Sequence, residues 1–131
     1  MSDATANLPP GVQLLGREWL GFDGAGQALI RFQAQPAFTN RHGTVQGGFL
    51  AAMLDSATGI CALAKLSPDL TVVTRSLDTR FLKPAAVGSI TARAPMIEQT
   101  KRDMVVQAEL VDAEGITVAD ATARLRIIAK K

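Results

Sequence analysis

The chain has 131 residues, 47% hydrophobic and 20% charged, with a formal net charge of +2 and a pI near 9.0. That is enough for one domain with one core, too apolar for disorder and too weakly basic for a nucleic-acid surface. A single cysteine, Cys61, excludes an internal disulfide and a multi-cysteine zinc site, and one Trp with no Tyr leaves little for base stacking.

Residues 1–11 are polar, carry Pro9-Pro10 and lack the apolar core of a signal peptide. They are expected to form a flexible lead-in to a cytoplasmic protein. Leu14 to Phe22 carries apolar residues around Arg17 and Glu18 and ends in the turn signal Phe22-Asp23-Gly24-Ala25-Gly26. Ala28 to Ala34 alternates, with Ala28, Ile30, Phe32 and Ala34 on one face and Leu29, Arg31 and Gln33 on the other. This predicts a half-buried strand, paired as a hairpin with the segment before it and ended by Pro36.

A polar loop follows, Asn40-Arg41-His42-Gly43-Thr44-Val45-Gln46-Gly47-Gly48, and then an apolar run from Phe49 to Ala64 whose one charged residue is Asp55. An all-round apolar run predicts a buried helix. It approaches membrane length, but Asp55, Ser56, Thr58 and Gly59 make it a poor span, so no membrane is expected. Cys61 reads as a small core residue. An isolated carboxylate in a buried helix is costly unless it is paired or hydrogen-bonded. Gly47 and Gly48 leave bare N–H donors at the helix start. A polar loop, a donor-rich helix start and a lone buried acid together read as a site.

The pattern then turns to period two. Thr71 to Leu82 is a long strand ended by Pro84, with Thr74, Ser76 and Asp78 on one face. Ser89 to Glu98 points Ile90, Ala92, Ala94 and Met96 inward, and Met104 to Leu110 does so with Met104, Val106, Ala108 and Leu110. Asp112 to Gly115 is a hairpin turn. Thr117 to Ile127 points Thr117, Ala119, Ala121, Ala123, Leu125 and Ile127 inward. The order β-β-α-β-β-β-β predicts a single α+β domain over residues 1–131, an antiparallel sheet of about six strands wrapped around one long buried helix. One sheet cannot cover every side of so apolar a helix, so an oligomer is expected.

The spacing Asn-x-x-Gly-x-x-x-Gly-Gly is carried by Asn40, Gly43, Gly47 and Gly48, with Asp55 eight residues after Gly47. It resembles the motif of the hotdog-fold acyl-CoA thioesterases of the phenylacetate-degradation type. Phe81-Leu82-Lys83-Pro84-Ala85 resembles the end of that family's next strand, and the likeness runs over residues 12–129. The resemblance implies a hotdog fold that hydrolyses an acyl-CoA to a free acid and CoA. It implies no metal, no cofactor apart from the CoA of the substrate, and a homodimer that commonly pairs into a tetramer. It further implies that the Gly47 N–H binds the thioester carbonyl and that Asp55 acts as nucleophile or general base. Asn40 would orient groups in the site, and Thr74 would assist from the next strand. Position 46 departs from the family: Gln46 stands where His is usual, and the one histidine, His42, lies four residues earlier. Gln donates and accepts hydrogen bonds but does not titrate.

Physical chemistry bears on the same residues separately. Thioester hydrolysis needs a donor for the developing oxyanion, which a helix start supplies, and a nucleophile or base, which a poorly hydrated carboxylate supplies. Eight residues of helix separate Gly47 from Asp55 by about 12 Å along the axis. A single thioester carbon cannot lie within ~3 Å of both. Either Gly47 of one chain works with Asp55 of another, or one assignment is wrong. Blander roles stay open: Asp55 satisfied by Ser56, Thr58 or a partner's backbone, Gly47-Gly48 serving close packing, Thr74 a plain sheet hydroxyl, His42 a loop residue. Gly48, His42, Lys83, Lys101 and Arg102, with Arg93, are candidates for contacts to CoA, though basic residues at strand ends are commonly just solvated. Two other functions compete. One is a non-catalytic hotdog dimer that binds acyl-CoA, which Gln46 motivates. The other is a hotdog hydratase or dehydratase, against which the absence of a histidine before Gly47 counts. The acyl group itself is not legible.

Overall fold

The computed structural model describes residues 8–131; the expected lead-in at residues 1–7 lies outside them. The rest of that lead-in is not loose chain. Pro10 opens a short helix, α1 (Pro10–Leu14), its fixed φ suiting a first helical position. Then come β1 (Glu18–Phe22), β2 (Ala28–Ala34), a single 3-10 turn at Pro36–Phe38, and α2 (Gly47–Leu63). β3 (Leu70–Phe81), β4 (Gly88–Ala94), β5 (Met96–Gln99), β6 (Asp103–Val111) and β7 (Thr117–Ala129) complete the chain.

The strands form one antiparallel sheet in the order β1-β2-β4-β6-β7-β3, with β5 paired to β6. The β1–β2 hairpin turns where expected: the Asp23 carboxylate accepts the N–H groups of Ala25 and Gln27, each at 2.9 Å. The sheet has seven strands rather than six because Pro95 divides the strand expected over Ser89–Glu98. Proline has no N–H for a ladder; here its carbonyl still accepts the Gln107 N–H at 3.2 Å.

The inward faces of the strands fall as the alternation requires. Ala28, Ile30, Phe32 and Ala34 of β2 are buried, as are Met104, Val106, Ala108 and Leu110 of β6. On β7, Ala119, Ala121, Ala123 and Leu125 are buried, together with Val118, whereas Thr117 is only half-buried. The sheet curves over α2, which sets Leu50, Met53, Leu54, Ala57, Ile60 and Cys61 against it.

β3 departs from strict alternation. Thr74 pairs with Leu125 and Ser76 with Arg124, so Arg75 is an extra residue, a β-bulge. Before it, Val72 and Thr74 face the helix; after it, Leu77 and Phe81 do. Ser76 and Asp78 therefore do not share a face with Thr74. Asp78 lies on the outer side, accepting from Arg124 at 3.5 Å, beside Arg80, which clamps Asp120 at 2.9 and 2.6 Å.

Among the described residues no helix is long and apolar enough to cross a membrane, and no group of three or more His, Cys, Asp and Glu side chains is placed to hold a metal ion. Cys61 is fully buried, and its thiol donates to the Ala94 carbonyl at 3.3 Å. Burial pushes its pKa up, with nearby Lys65 opposing weakly. Cys61 is therefore expected to resist Ellman's reagent at mildly alkaline pH and to react only as denaturant unfolds the chain. Full labelling of native protein within minutes would contradict this packing.

Candidate active site

The loop before α2 is built by Asn40. Its N–H donates to the Thr44 carbonyl at 2.8 Å, and its carbonyl accepts from Gly43 at 3.0 Å. Its side-chain Oδ1 accepts the N–H groups of His42 (2.9 Å) and Thr44 (3.3 Å), and Nδ2 donates to Thr44 Oγ1 at 3.0 Å. This is an Asx-type turn, closed by Gly43 at φ 79°, a conformation that favours glycine. Asn40 thus organises its own loop, and the His42 side chain stands exposed on it. At the loop's exit, Val45 N–H donates to the Ala85 carbonyl (2.8 Å) and Gln46 N–H to the Phe38 carbonyl (2.9 Å). These two bonds fix Gln46 as the residue preceding α2.

The Gln46 carbonyl accepts from Phe49 (3.0 Å) and Leu50 (3.2 Å). Gly47 and Gly48 come ahead of them, and no acceptor for their N–H groups lies among the described residues. The exposed Gln46 side chain does not cap the helix; its Nε2 reaches the Thr39 carbonyl at 3.5 Å. The Phe81 ring lies over Gly47, 3.2 Å from where a Cβ would stand. A groove of about 410 Å³ opens here, lined by Asn40, Gly47, Leu50, Phe81, Lys83 and Ala85 among others.

Asp55 lies two turns further along α2, and it is exposed rather than buried. The helix is covered on its sheet side only, so an acid on the far side keeps its access to water. Its partner is neither Ser56 nor Thr58: Thr58 Oγ1 donates to the main-chain carbonyls of Leu54 and Asp55 at 2.9 and 3.1 Å, and Ser56 Oγ accepts from Arg17 Nη1 at 3.0 Å. The Asp55 carboxylate instead accepts from Thr74 Oγ1 at 3.0 Å. Helix and strand thus bring together two candidates 19 residues apart. They stand on the edge of a second groove of about 500 Å³ between α1, α2 and β3, whose walls include Leu15, Arg17, Phe49, Ser56, Leu63 and Val72. Phe49 is held there by stacking on Phe38, with ring centroids 4.2 Å apart.

Within one chain, then, Gly47 and Asp55 belong to different grooves. Lys83 lies in the groove of Gly47. Lys101 and Arg102 sit on the turn between β5 and β6 and line neither groove, and Arg93 is paired with Glu109 at 2.7 Å on the outer sheet face. Two neighbours of the site carry no local sequence signal. Arg17 meets Ser56 across 39 residues, and Phe81 reaches Gly47 only through the bulge in β3.

The family described as the thioesterase superfamily matches residues 42–119. A phenylacetic acid degradation-related protein of Ralstonia eutropha JMP134 is 34% identical, over 94% of this chain and 93% of that one, with a TM-score of 0.88. A Bacillus halodurans protein solved with CoA is 25% identical over 95% of this chain and 82% of its own, with a TM-score of 0.85. A Zymomonas mobilis protein described as an uncharacterised acyl-CoA thioester hydrolase is 34% identical over 87 residues, 65% of this chain and 57% of that protein.

Because both Asp55 and Thr74 are exposed, their hydrogen bond contributes little to folding. Asp55→Asn and Thr74→Val are each expected to change unfolding free energy by less than about 1.5 kcal/mol in urea titrations. A larger loss would mean that the pair holds the fold.

Proposed function

The chain belongs to the thioesterase superfamily, and from that premise we propose that it hydrolyses the thioester of a small or medium acyl-CoA at a site shared by two copies. Its fold is the hotdog fold, one antiparallel sheet curved around one long helix. The observation that carries the proposal is the Thr74–Asp55 hydrogen bond, which holds a carboxylate at the edge of a groove on the helix whose first amides open another.

The thioester oxygen accepts the Gly47 N–H at the positive end of α2, where negative charge is favoured as it develops. Asp55 of the second copy either attacks the carbonyl carbon or takes a proton from the water that does. In the second route the water oxygen adds to carbon and its proton goes to Asp55. The tetrahedral oxyanion then collapses, the C–S bond breaks, and Asp55 returns its proton to the departing CoA sulfur, giving the acid and CoA. In the first route the C–S bond breaks to leave an acyl–Asp55 anhydride, which water hydrolyses to the acid while a proton passes to the CoA thiolate. Thr74 donates to one carboxylate oxygen and leaves the other to act. Asn40 shapes the loop that presents Gly47, Gln46 and Gly48 flank the donor, and Lys83 is at hand for the CoA moiety. His42, Lys101 and Arg102 would have to act across the dimer.

The sheet edge supports a dimer. β3 is an edge strand of twelve residues, and Val73, Phe81 and Leu82 on or beside it are exposed. An unpaired edge of this length, with apolar side chains exposed along it, invites pairing with another chain. A second reading, binding without cleavage, is favoured by Gln46, since no histidine or acid lines the groove of Gly47.

The test is thiol release from a panel of acyl-CoA esters. Asp55→Asn is expected to lose activity by roughly 100-fold or more, within the range for removing a catalytic acid–base group. Gly47→Pro removes the donor yet keeps the helix, because proline suits the first helical position and Gln46 already has φ −61° and ψ 142°. It is expected to lower kcat by roughly 100- to 1,000-fold. Gly47→Ala, with a similar Cβ but its N–H intact, falls far less. Tight ester binding without turnover, and no gain from Gln46→His, would establish the second reading.

A further inference from the structure

Gly59 lies inside α2, four residues after Asp55. A glycine inside a helix costs stability relative to alanine. Nothing in the packing asks for it: its backbone is helical, its φ is not positive, and a Cβ built there meets no atom within 4 Å. The space it leaves open is the groove that Asp55 and Thr74 border.

The direction of that space follows from helix geometry. Residues four apart share a helix face, so Gly59 lies about 6 Å beyond Asp55 along the axis and Leu63 about 6 Å beyond Gly59. All three line the groove, with Ile60 and Val72 on its walls and Leu14 of α1 also on its rim. Past Ser56 and Arg17 the lining is apolar.

We propose that Gly59 sets the length of the acyl group: the tail of a substrate reacting at Asp55 runs along α2 over Gly59 towards Leu63. The inference rests on the thioesterase reading above and narrows it to unbranched apolar acyl esters of medium length. With C–C bonds of about 1.5 Å, five or so carbons reach Gly59 and roughly as many again reach Leu63.

The experiment compares kcat/KM for acetyl-, hexanoyl-, octanoyl- and decanoyl-CoA in wild type, Gly59→Ala and Gly59→Leu. Wild type is expected to prefer octanoyl- over acetyl-CoA. Gly59→Leu is expected to lower the octanoyl-to-acetyl ratio by at least ~10-fold, because a single methylene misfit in an apolar pocket already costs about that much. The loss should fall mainly on KM. Gly59→Ala lowers the ratio less and raises the melting temperature, so it carries the test if the leucine variant does not fold. A chain-length profile unmoved in both folded variants overturns the assignment of Gly59 and places the tail elsewhere, as would a groove filled by the second copy. A wild type that prefers acetyl-CoA also overturns it. No thiol release from any ester overturns the thioesterase reading itself, and this inference with it.

Discussion

The structure depends on covering α2. Seventeen residues with one charge cannot stand in water as a lone helix, and the chain meets this by curving one sheet over it. Large and small side chains alternate on both sides of the contact. The helix contributes Leu50, Met53, Leu54 and Ile60 with Ala57 and Ala62, while the facing strands set Ile30, Phe32, Ile90, Met104, Leu110 and Leu125 among Ala92, Ala94, Ala108, Ala119, Ala121 and Ala123. The alanines let the backbones approach, and the large residues fill the space beside them. The buried Thr58 hydroxyl is satisfied within the helix itself, so among the described residues no buried side-chain polar group is left without a partner at this interface.

The site grows where that cover stops. The sheet reaches one side of α2, which leaves the helix start and an outward stripe through Ala52, Asp55 and Gly59 in contact with grooves. β3 furnishes one wall of each groove, and it can do so only because of Arg75. Thr74 and Phe81 are seven residues apart, so unbroken alternation would send them to opposite faces. The extra residue at the bulge turns both towards the helix, Thr74 onto Asp55 and Phe81 onto Gly47. Bulges commonly re-aim a side chain in this way.

Much of this is legible in the sequence, for reasons that also mark where legibility ends. Period two places the inward residues of β2 and β6, and composition places α2 almost to the residue. The Asn40, Gly47 and Asp55 spacing marks the loop, the helix start and the helix position around which the two grooves open. Hydrophobic periodicity, however, does not say which molecule does the covering, so Asp55 reads as buried and stands exposed in the single chain. Thr74-Arg75-Ser76 has no glycine to announce a bulge, so alternation puts Thr74, Ser76 and Asp78 on one face when the structure does not. Pro95 does carry its signal, since proline within a strand breaks the ladder. α1 has five residues, too few for a helical period to show.

The separation of donor and acid is a property of the helix and not of the loop. Gly47 and Asp55 are anchored to one helix packed on the sheet, eight residues and about 12 Å apart. A change of rotamer moves a carboxylate by a few ångströms at most, so no side-chain adjustment brings both to one carbon. Rearranging the loop at Asn40 does not help either, because Gly47 already belongs to the helix. The two grooves share a single element at the open edge of the sheet, the strand that carries both Thr74 and Phe81. A second copy pairing antiparallel along β3 would meet both grooves at once, which is the arrangement that the proposed site, shared between Gly47 of one chain and Asp55 of another, requires.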